Sequence, residues 1–362
     1  MRPSSSFASA AFVILCLPLF GQEAPEFDAG VAPTRELFPL QLIPLTYQPL
    51  SPKPVGVGRW QVALHSLRGN VFEFSDAIKN GPPTDLQGRV HLTQAYWAQH
   101  AADYPQLPFA FWFDEEILRT TLDVRTGLGL RTDAFLQWAW VSHTGGFLDT
   151  TIERFHAGLG FRQWGRDLVA RHQLVVAMMS RGQVTFYSDD PIKRKPQDPV
   201  LGLVHQLFVG TEGGLSLTAT LKPPITKTYN VYQSGWDTQV GVTGWWDFAR
   251  GHQLTFGGAY THRAAGSAAY EQIGYRDEVG AHLGLRWRTR KTLQPYLQLQ
   301  LLSGFARPIE GTTFQRPAFT HDLGFHWFWS PRTFATFRYV NNISHNENTA
   351  DMAFAVGVTT RF

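Results

Sequence analysis

Apolar and polar residues alternate one by one through most of this chain, in short runs set apart by polar or glycine-rich breaks. A period of two marks a β-strand whose faces meet different surroundings. From Val279, the residues Val279, Ala281, Leu283, Leu285 and Trp287 share one face, and Gly280, His282, Gly284, Arg286 and Arg288 the other. From Leu293, the residues Leu293, Pro295, Leu297, Leu299 and Leu301 oppose Gln294, Tyr296, Gln298 and Gln300. Twelve such segments begin near Trp60, Ile117, Leu130, Val200, Leu215, Trp236, Gln253, Val279, Leu293, His321, Thr333 and Met352. Most run about 9–11 residues, the length with which a tilted strand crosses a bilayer. The breaks alternate in length: 126–130, 210–214, 247–252, 288–292 and 330–332 are short, whereas 66–116, 143–199, 222–235, 262–278, 304–320 and 341–351 are long. Short turns at one end and long loops at the other are the pattern of an antiparallel up-and-down transmembrane β-barrel. The expected fold is therefore all-β, a barrel of about 12 strands over residues 57–362, with both termini on the short-turn side. Residues 90–98 and a hairpin around 172–187, turning at Arg181-Gly182, also alternate. Both are assigned to long external loops that raise the wall above the membrane, and a barrel of 14 strands is the alternative.

The two faces differ in chemistry. A soluble barrel packs its apolar face inward. Here the polar face carries small residues, glutamines and charges of both signs, which suits a hydrated lumen, and the apolar face meets lipid. Loop lengths set the orientation, so bulky aromatics should ring both ends of the lipid face. Trp60, Trp246, Trp287, Trp329 and Phe362 fall at the periplasmic end, and Trp140, Trp236, Tyr260, Tyr339 and Phe354 at the external end. Two aromatic girdles thus appear without having been used to place the strands.

One stretch breaks the period. Residues 145–160 repeat Leu148, Ile152, Phe155 and Leu159 at helical spacing, preceded by Gly145-Gly146 and closed by Gly158 or Gly160. This is a helix in a long external loop. Residues 22–56 hold Pro25, Pro33, Pro39, Pro44, Pro49, Pro52 and Pro54, which exclude a helix or a central strand. Their portion 38–45 is too apolar for a free linker, and either a barrel-mouth plug or an extended periplasmic tail is compatible with it. Residues 1–21 read as a cleaved export leader, with Arg2, an apolar run from Ala8 to Leu19 and small Gly21 at the cleavage point.

Composition narrows the function. Aromatics make up 14% of the chain, with 12 Trp and 33 Gly, which suits girdles and tight turns. A net charge of +3 over 362 residues leaves no nucleic-acid footprint. The one cysteine, Cys16, lies in the leader, so the processed chain has neither a disulfide nor a thiolate metal site.

In residues 352–362, Phe354, Val356, Val358, Thr360 and Phe362 share one face and the chain stops on phenylalanine. This strand resembles the C-terminal insertion signal of bacterial outer-membrane barrels. That resemblance implies an outer-membrane location, and as partners the barrel-assembly machinery, membrane lipid and lipopolysaccharide. A second resemblance is narrower. Gly145-Gly146-Phe147-Leu148-Asp149, Ile152-Glu153 and Phe155-His156, followed by Gly158 and Gly160, are similar to the motif of a bacterial family catalogued as domain of unknown function 3187. The acidic strand start Phe113-Asp114-Glu115-Glu116 is similar as well. The chain departs from the pattern in the basic loop 190–199, with Lys193-Arg194-Lys195. The family implies a location and a fold, and carries no catalytic residue over.

Candidate chemistry is sparse. Asp149, Glu153 and His156 on the external helix, with His143 near in sequence, offer metal or acid–base groups, yet a polar face that packs the helix onto the rim explains them as well and no His-Glu-x-x-His spacing is present. His321-Asp322 with His326 are likewise a candidate metal or proton site, against polar lumen lining. Ser142-His143 invites comparison with outer-membrane phospholipase, but adjacent strand residues point to opposite faces, and Gly-x-Ser-x-Gly is absent. The expectation is no enzyme, no cofactor and no bound metal. Arg119, Asp123, Arg125, Arg131, Asp133, Asp237, His282, Arg286, Asp322, His326, Arg338 and Arg361 are expected to line the lumen. They either select solutes in a pore or close a narrow barrel as a self-satisfied network. The functional reading is a passive channel for small polar or anionic solutes. The alternatives are a non-conducting barrel that acts through its external loops and, behind it, a hydrolase.

Overall fold

The computed structural model describes residues 29–75, 89–103, 108–163, 165–226, 235–248, 252–264, 273–288, 291–343 and 348–362. The expected leader, with Arg2, Cys16 and Gly21, and the first residues after it lie outside the described residues. The strands are β1 (Trp60–Phe74), β2 (Ala110–Gly127), β3 (Thr132–Thr144), β4 (Val175–Ser180), β5 (Gln183–Ser188), β6 (Ile192–Pro196), β7 (Val200–Val209), β8 (Gly213–Lys222), β9 (Asp237–Phe248), β10 (His252–His262), β11 (Glu278–Trp287), β12 (Leu293–Leu302), β13 (Ala318–Ser330), β14 (Thr333–Asn342) and β15 (Met352–Arg361). All but β4, β5 and β6 form one closed antiparallel ring of twelve. The last strand closes it on the first, from Gln61↔Arg361 to Asn70↔Met352. Closure leaves no edge in the ring, as a barrel in hydrocarbon requires.

The faces follow the alternation. On β15, Phe354, Val356 and Val358 are exposed toward lipid, while Ala353 and Ala355 are buried inside. Trp60, Trp236, Trp246, Trp329 and Phe362 are exposed on the outer wall, and Trp140 and Trp287 are partly covered there.

Above the membrane the wall differs from expectation. β1, β2 and β3 run 15, 18 and 13 residues. The alternation simply continues: Phe111 and Phe113 point in, and Phe72 and Trp112 point out. At Glu116↔Thr144 the pairing of β2 with β3 ends, and β2 goes on with β4, which pairs with β5. The hairpin expected around 172–187 is therefore present, turns at Arg181-Gly182, and raises the wall. Residues 192–196, within the stretch expected as a basic loop, form β6 on the outer part of β3, with a register shift beside Arg194, which sits at φ 48°.

Residues 90–98 are not a strand. Val90 makes an isolated bridge to Val169, and Gln94–His100 form a helix, α1. Thr93 caps it by accepting from the Tyr96 N–H, and Trp97 inserts against Phe72 and Trp112 outside the wall. Seven residues, just under two turns, are too few to show helical periodicity, so the alternation of Val90 and Leu92 misled. The expected external helix forms as α2 (Leu148–Leu159), closed by Gly160 at φ 73° in the left-handed C-cap. Its apolar stripe is only half right. Leu148 and Ile152 are buried, whereas Phe155 and Leu159 face outward.

Candidate functional site: the plugged lumen

The lumen is filled by the chain's own N-terminal segment. Ala29 packs near Phe328 and Phe334, beside the periplasmic β13–β14 turn. The segment climbs past β12 and β13, where Ala32 and the Gln298 side chain exchange two hydrogen bonds, of 3.2 and 3.0 Å. Thr34 Oγ1 donates to Asp322 at 2.5 Å. Leu37, Phe38, Leu40 and Leu42 enter the core at the external end. There Phe38 is wholly buried, with its ring 5.6–6.2 Å from those of Phe111, Phe113, Phe305 and Phe314. A 3-10 turn over Pro39–Gln41 reverses the chain. Arg35 ties the two legs by donating to the Pro44 carbonyl at 3.1 Å.

The descending leg follows the opposite wall. Leu45 N–H donates to Asp237 at 2.8 Å, Tyr47 N–H to Glu278 at 2.7 Å and Val55 N–H to Asp133 at 2.8 Å. Wall donors meet its carbonyls: Gln300 on Tyr47 at 3.2 Å, Ser216 on Pro52 at 2.7 Å and Arg125 on Ser51 at 2.8 Å. Tyr47 Oη lies 2.6 Å from His282 Nδ1. The physical reason is the sequence of the segment. Prolines remove N–H groups and forbid a ladder, and buried irregular backbone must still be satisfied. Polar wall side chains do this. Space is provided by glycine: a Cβ on Gly280 would fall 2.2 Å from Tyr47 Cβ, and one on Gly69 would fall 2.7 Å from Leu37 Cδ1. Of the two placements open to the segment, the structure has the plug.

Most of the predicted lumen residues pair with one another, or with the plug, in several small groups around it. Arg338 pairs with Asp322 at 3.1 Å, and Tyr296 donates to the same carboxylate at 3.0 Å. Arg125 pairs with Asp133 at 2.8 Å. Asp237 takes Lys222 at 3.1 Å, and Glu278 takes Arg263 at 2.5 Å. Arg119 donates to Gln197 and Thr121 at 2.9 and 2.8 Å. Asp123 accepts from Gln137 at 2.7 Å, and Arg286 reaches the Gly30 carbonyl at 3.4 Å. His326 stacks on Tyr296, and Arg361 donates to Gln61 at the periplasmic rim. Arg131 is a correction. It sits exposed in the periplasmic turn between β2 and β3, because the segment beginning near Leu130 opens as a turn and β3 starts at Thr132. Arg35, Tyr47, Lys222, Arg263 and Glu278 escaped the sequence reading. The last three stand at strand ends next to long loops, and the first two lie in a segment with no period. Between plug and wall, on the periplasmic half, remains a void of about 60 Å³ of mixed lining, with His65, Asp123, Arg125 and His326 beside Phe135 and Val204.

The candidate chemical clusters separate. Ser142 Oγ, on the outer face of β3, accepts from the Arg194 N–H at 3.0 Å, while His143 turns inward to Glu115 at 2.6 Å. His321 packs against Tyr339, on the face opposite Asp322. On α2, Asp149 accepts from the His172 N–H at 2.7 Å, and Glu153 binds Arg89 at 2.8 Å and Arg171 at 2.5 Å. Burial pushes the Glu153 carboxyl up, but hydrogen bonds and charge from Arg171 and Arg89 outweigh it and hold it below the ordinary range. Glu116 accepts from the N–H groups of Phe147 and Leu148, at the start of α2. Among the described residues, no group of three or more His, Cys, Asp or Glu is placed to hold a metal ion.

A closed twelve-strand ring with a lipid-facing apolar wall, two aromatic girdles and a polar interior defines a bacterial outer-membrane β-barrel. The chain belongs to the family described as protein of unknown function DUF3187, whose profile matches residues 83–362. A search of curated proteins finds no match. Among solved structures, the chain is similar to the COG4313 outer membrane channel from Pseudomonas putida F1, with a TM-score of 0.54 and 10% identity over 88% of this chain and 100% of that one. The translocator domain of autotransporter NalP from Neisseria meningitidis follows, with a TM-score of 0.41 and 11% identity over 85% and 89%. The KdgM porin gives 0.38 and 8% identity over 70% and 96%. At 10% identity the likeness to the first of these speaks for the fold alone.

Proposed function

We propose that this barrel is a gated channel for small polar or anionic solutes, with residues 29–55 as its plug. The observation that carries the reading is how the plug is held. It contributes no strand to the ring, and its backbone is bound by wall side chains, so it can shift without breaking any ladder bond of the wall. A shift would bare a lumen lined by Arg119, Arg125, Arg286 and Arg338. Arg119 has no carboxylate partner among the described residues, which favours anions. The void of about 60 Å³ holds only a few waters, which favours the second reading, a barrel that never conducts.

Planar-bilayer recording distinguishes them. The full chain should show brief current steps with a reversal potential on the anion side. Phe38→Ala, which removes about 3–5 kcal/mol of buried contact from the plug and leaves the wall intact, should make the steps more frequent. Silence from both proteins at every voltage the bilayer survives supports the non-conducting barrel. The reading assigns no catalytic residue. Lipid hydrolysis that disappears in Ser142→Ala would replace it.

A further inference from the structure

Helix α2 buries two acids beside Leu148 and Ile152 and leaves the rest of its apolar residues outside, which is unusual for a helix in water. A surface helix normally buries its apolar side and exposes its charges. Here Asp149 and Glu153 are 6% and 7% exposed, whereas Phe147, Phe155, Leu159 and the following Phe161 are 56%, 48%, 49% and 56% exposed. Phe147, Thr151, Phe155 and Leu159 recur every four residues and so share the outer face. Arg154 and Arg162 are exposed beside them, and their side chains have no partner among the described residues. The buried acids are bound by Arg89, Arg166 and Arg171, so the orientation is fixed rather than incidental.

The height of this face matters as much as its chemistry. α2 lies on the outside of the wall: Asn70, which points outward on β1, is covered by Asp149. Two residues lower on the same face, Arg68 stands level with Phe354 in the external girdle. Its guanidinium lies 4.4 Å from the Phe147 ring centre and pairs with Glu116 at 3.0 Å. With about 3.3 Å of rise per residue along a strand tilted by about 40°, the start of α2 stands about 5 Å above the Phe354 level. That is the depth of the headgroups, where interfacial helices place aromatic and basic residues.

We propose that the outer face of α2 is a docking surface for the phosphorylated glycolipid of the outer leaflet, with Phe155, Leu159 and Phe161 in the acyl boundary and Arg154 and Arg162 on lipid A phosphates. Two observations select this occupant. The face continues the lipid-facing girdle through the Arg68–Phe147 contact, and its unpartnered charges are cationic. The exposed Lys193, Arg194 and Lys195 of β6, on the far side of β3, extend the positive rim. The assignment does not depend on whether the barrel conducts.

The test titrates diphosphoryl lipid A into the refolded full chain in zwitterionic micelles and counts bound lipid by native mass spectrometry. Each basic side chain at an anionic surface contributes about five-fold in affinity, so the double variant Arg154→Gln/Arg162→Gln should bind about thirty-fold more weakly. Phe155→Ser/Phe161→Ser should also weaken binding. Both side-chain pairs point away from the wall, so heat-modifiable gel mobility, which reports the closed barrel, should stay as in the parent. Dephosphorylated lipid A should bind poorly, and inorganic phosphate should not compete. Undiminished lipid A binding in both double variants would overturn the proposal, as would equal binding of the dephosphorylated lipid. So would self-association of the parent chain that the variants abolish while lipid A binding stays unchanged, since the face would then join two copies.

Discussion

At the scale of single residues, the external helix shows how a side chain's setting decides its role. Asp149, Glu153 and His156 looked in the sequence like a metal or acid–base trio. Their partners come from residues the helical spacing cannot reveal, Arg166, Arg89 and Arg171, and ion pairing explains the two acids. His156 stays partly covered. Burial holds its imidazole below the ordinary range, Arg166 pushes the same way, and Asp351 opposes both. A histidine with a lowered pKa binds fewer protons when folded than when unfolded. Its contribution is intact well above the unfolded value of about 6.5 and is lost as pH falls below it toward the folded one. Amide protection over Leu148–Leu159, corrected for intrinsic exchange, should therefore drop as pH falls below about 6.5. The drop should be much smaller in His156→Gln. A protection factor indifferent to pH would contradict the packing of His156.

At the scale of elements, the strands were legible because each face meets one medium from end to end. Leu283, Leu299 and Val356 face lipid and Gln298, Gln300 and Ala355 face inward, as alternation alone predicts. Where the medium changes, the reading weakened. Above the bilayer β1 and β2 keep alternating, with apolar residues on both faces, because the plug lies inside and α1 outside. Only residue Thr93, a good N-cap, hinted at that short helix. The lipid face allows a sharp prediction. Leu299→Arg puts an unpaired cation against hydrocarbon, costs about 2–4 kcal/mol near the midplane, and should lower refolding yield into lipid vesicles. Gln298→Arg should still assemble, but it forfeits the two bonds to Ala32 and should loosen the plug. Equal refolding yields for the two variants would contradict the assignment of the faces.

At the scale of the whole molecule, the decisive feature is one the sequence showed only in part. Seven prolines and an apolar stretch announce that residues 22–56 form neither helix nor strand. Nothing in them says that Leu45 meets Asp237, 192 positions away, or Tyr47 meets Glu278, 231 away. Such contacts exist only once the ring has closed around them. The predicted lumen residues were placed by alternation, and four of them, Arg125, Asp133, Asp237 and Arg286, bind the plug's backbone. The same residues are what a solute would meet if the plug moved. Whether it moves is the central claim, and a cross-link tests it most directly. Cys16 is the one cysteine of the chain and lies in the expected leader, so added cysteines in the processed protein stand alone. A Cβ on Gly69 of β1 would fall 2.7 Å from Leu37 Cδ1 of the plug, so Leu37→Cys with Gly69→Cys brings two thiols near each other, and loss of free thiol on oxidation reports that they have joined. Recorded in a planar bilayer, the oxidised double variant should be silent, and a reductant should restore its current steps. Identical steps before and after reduction would show that residues 29–55 are not the gate.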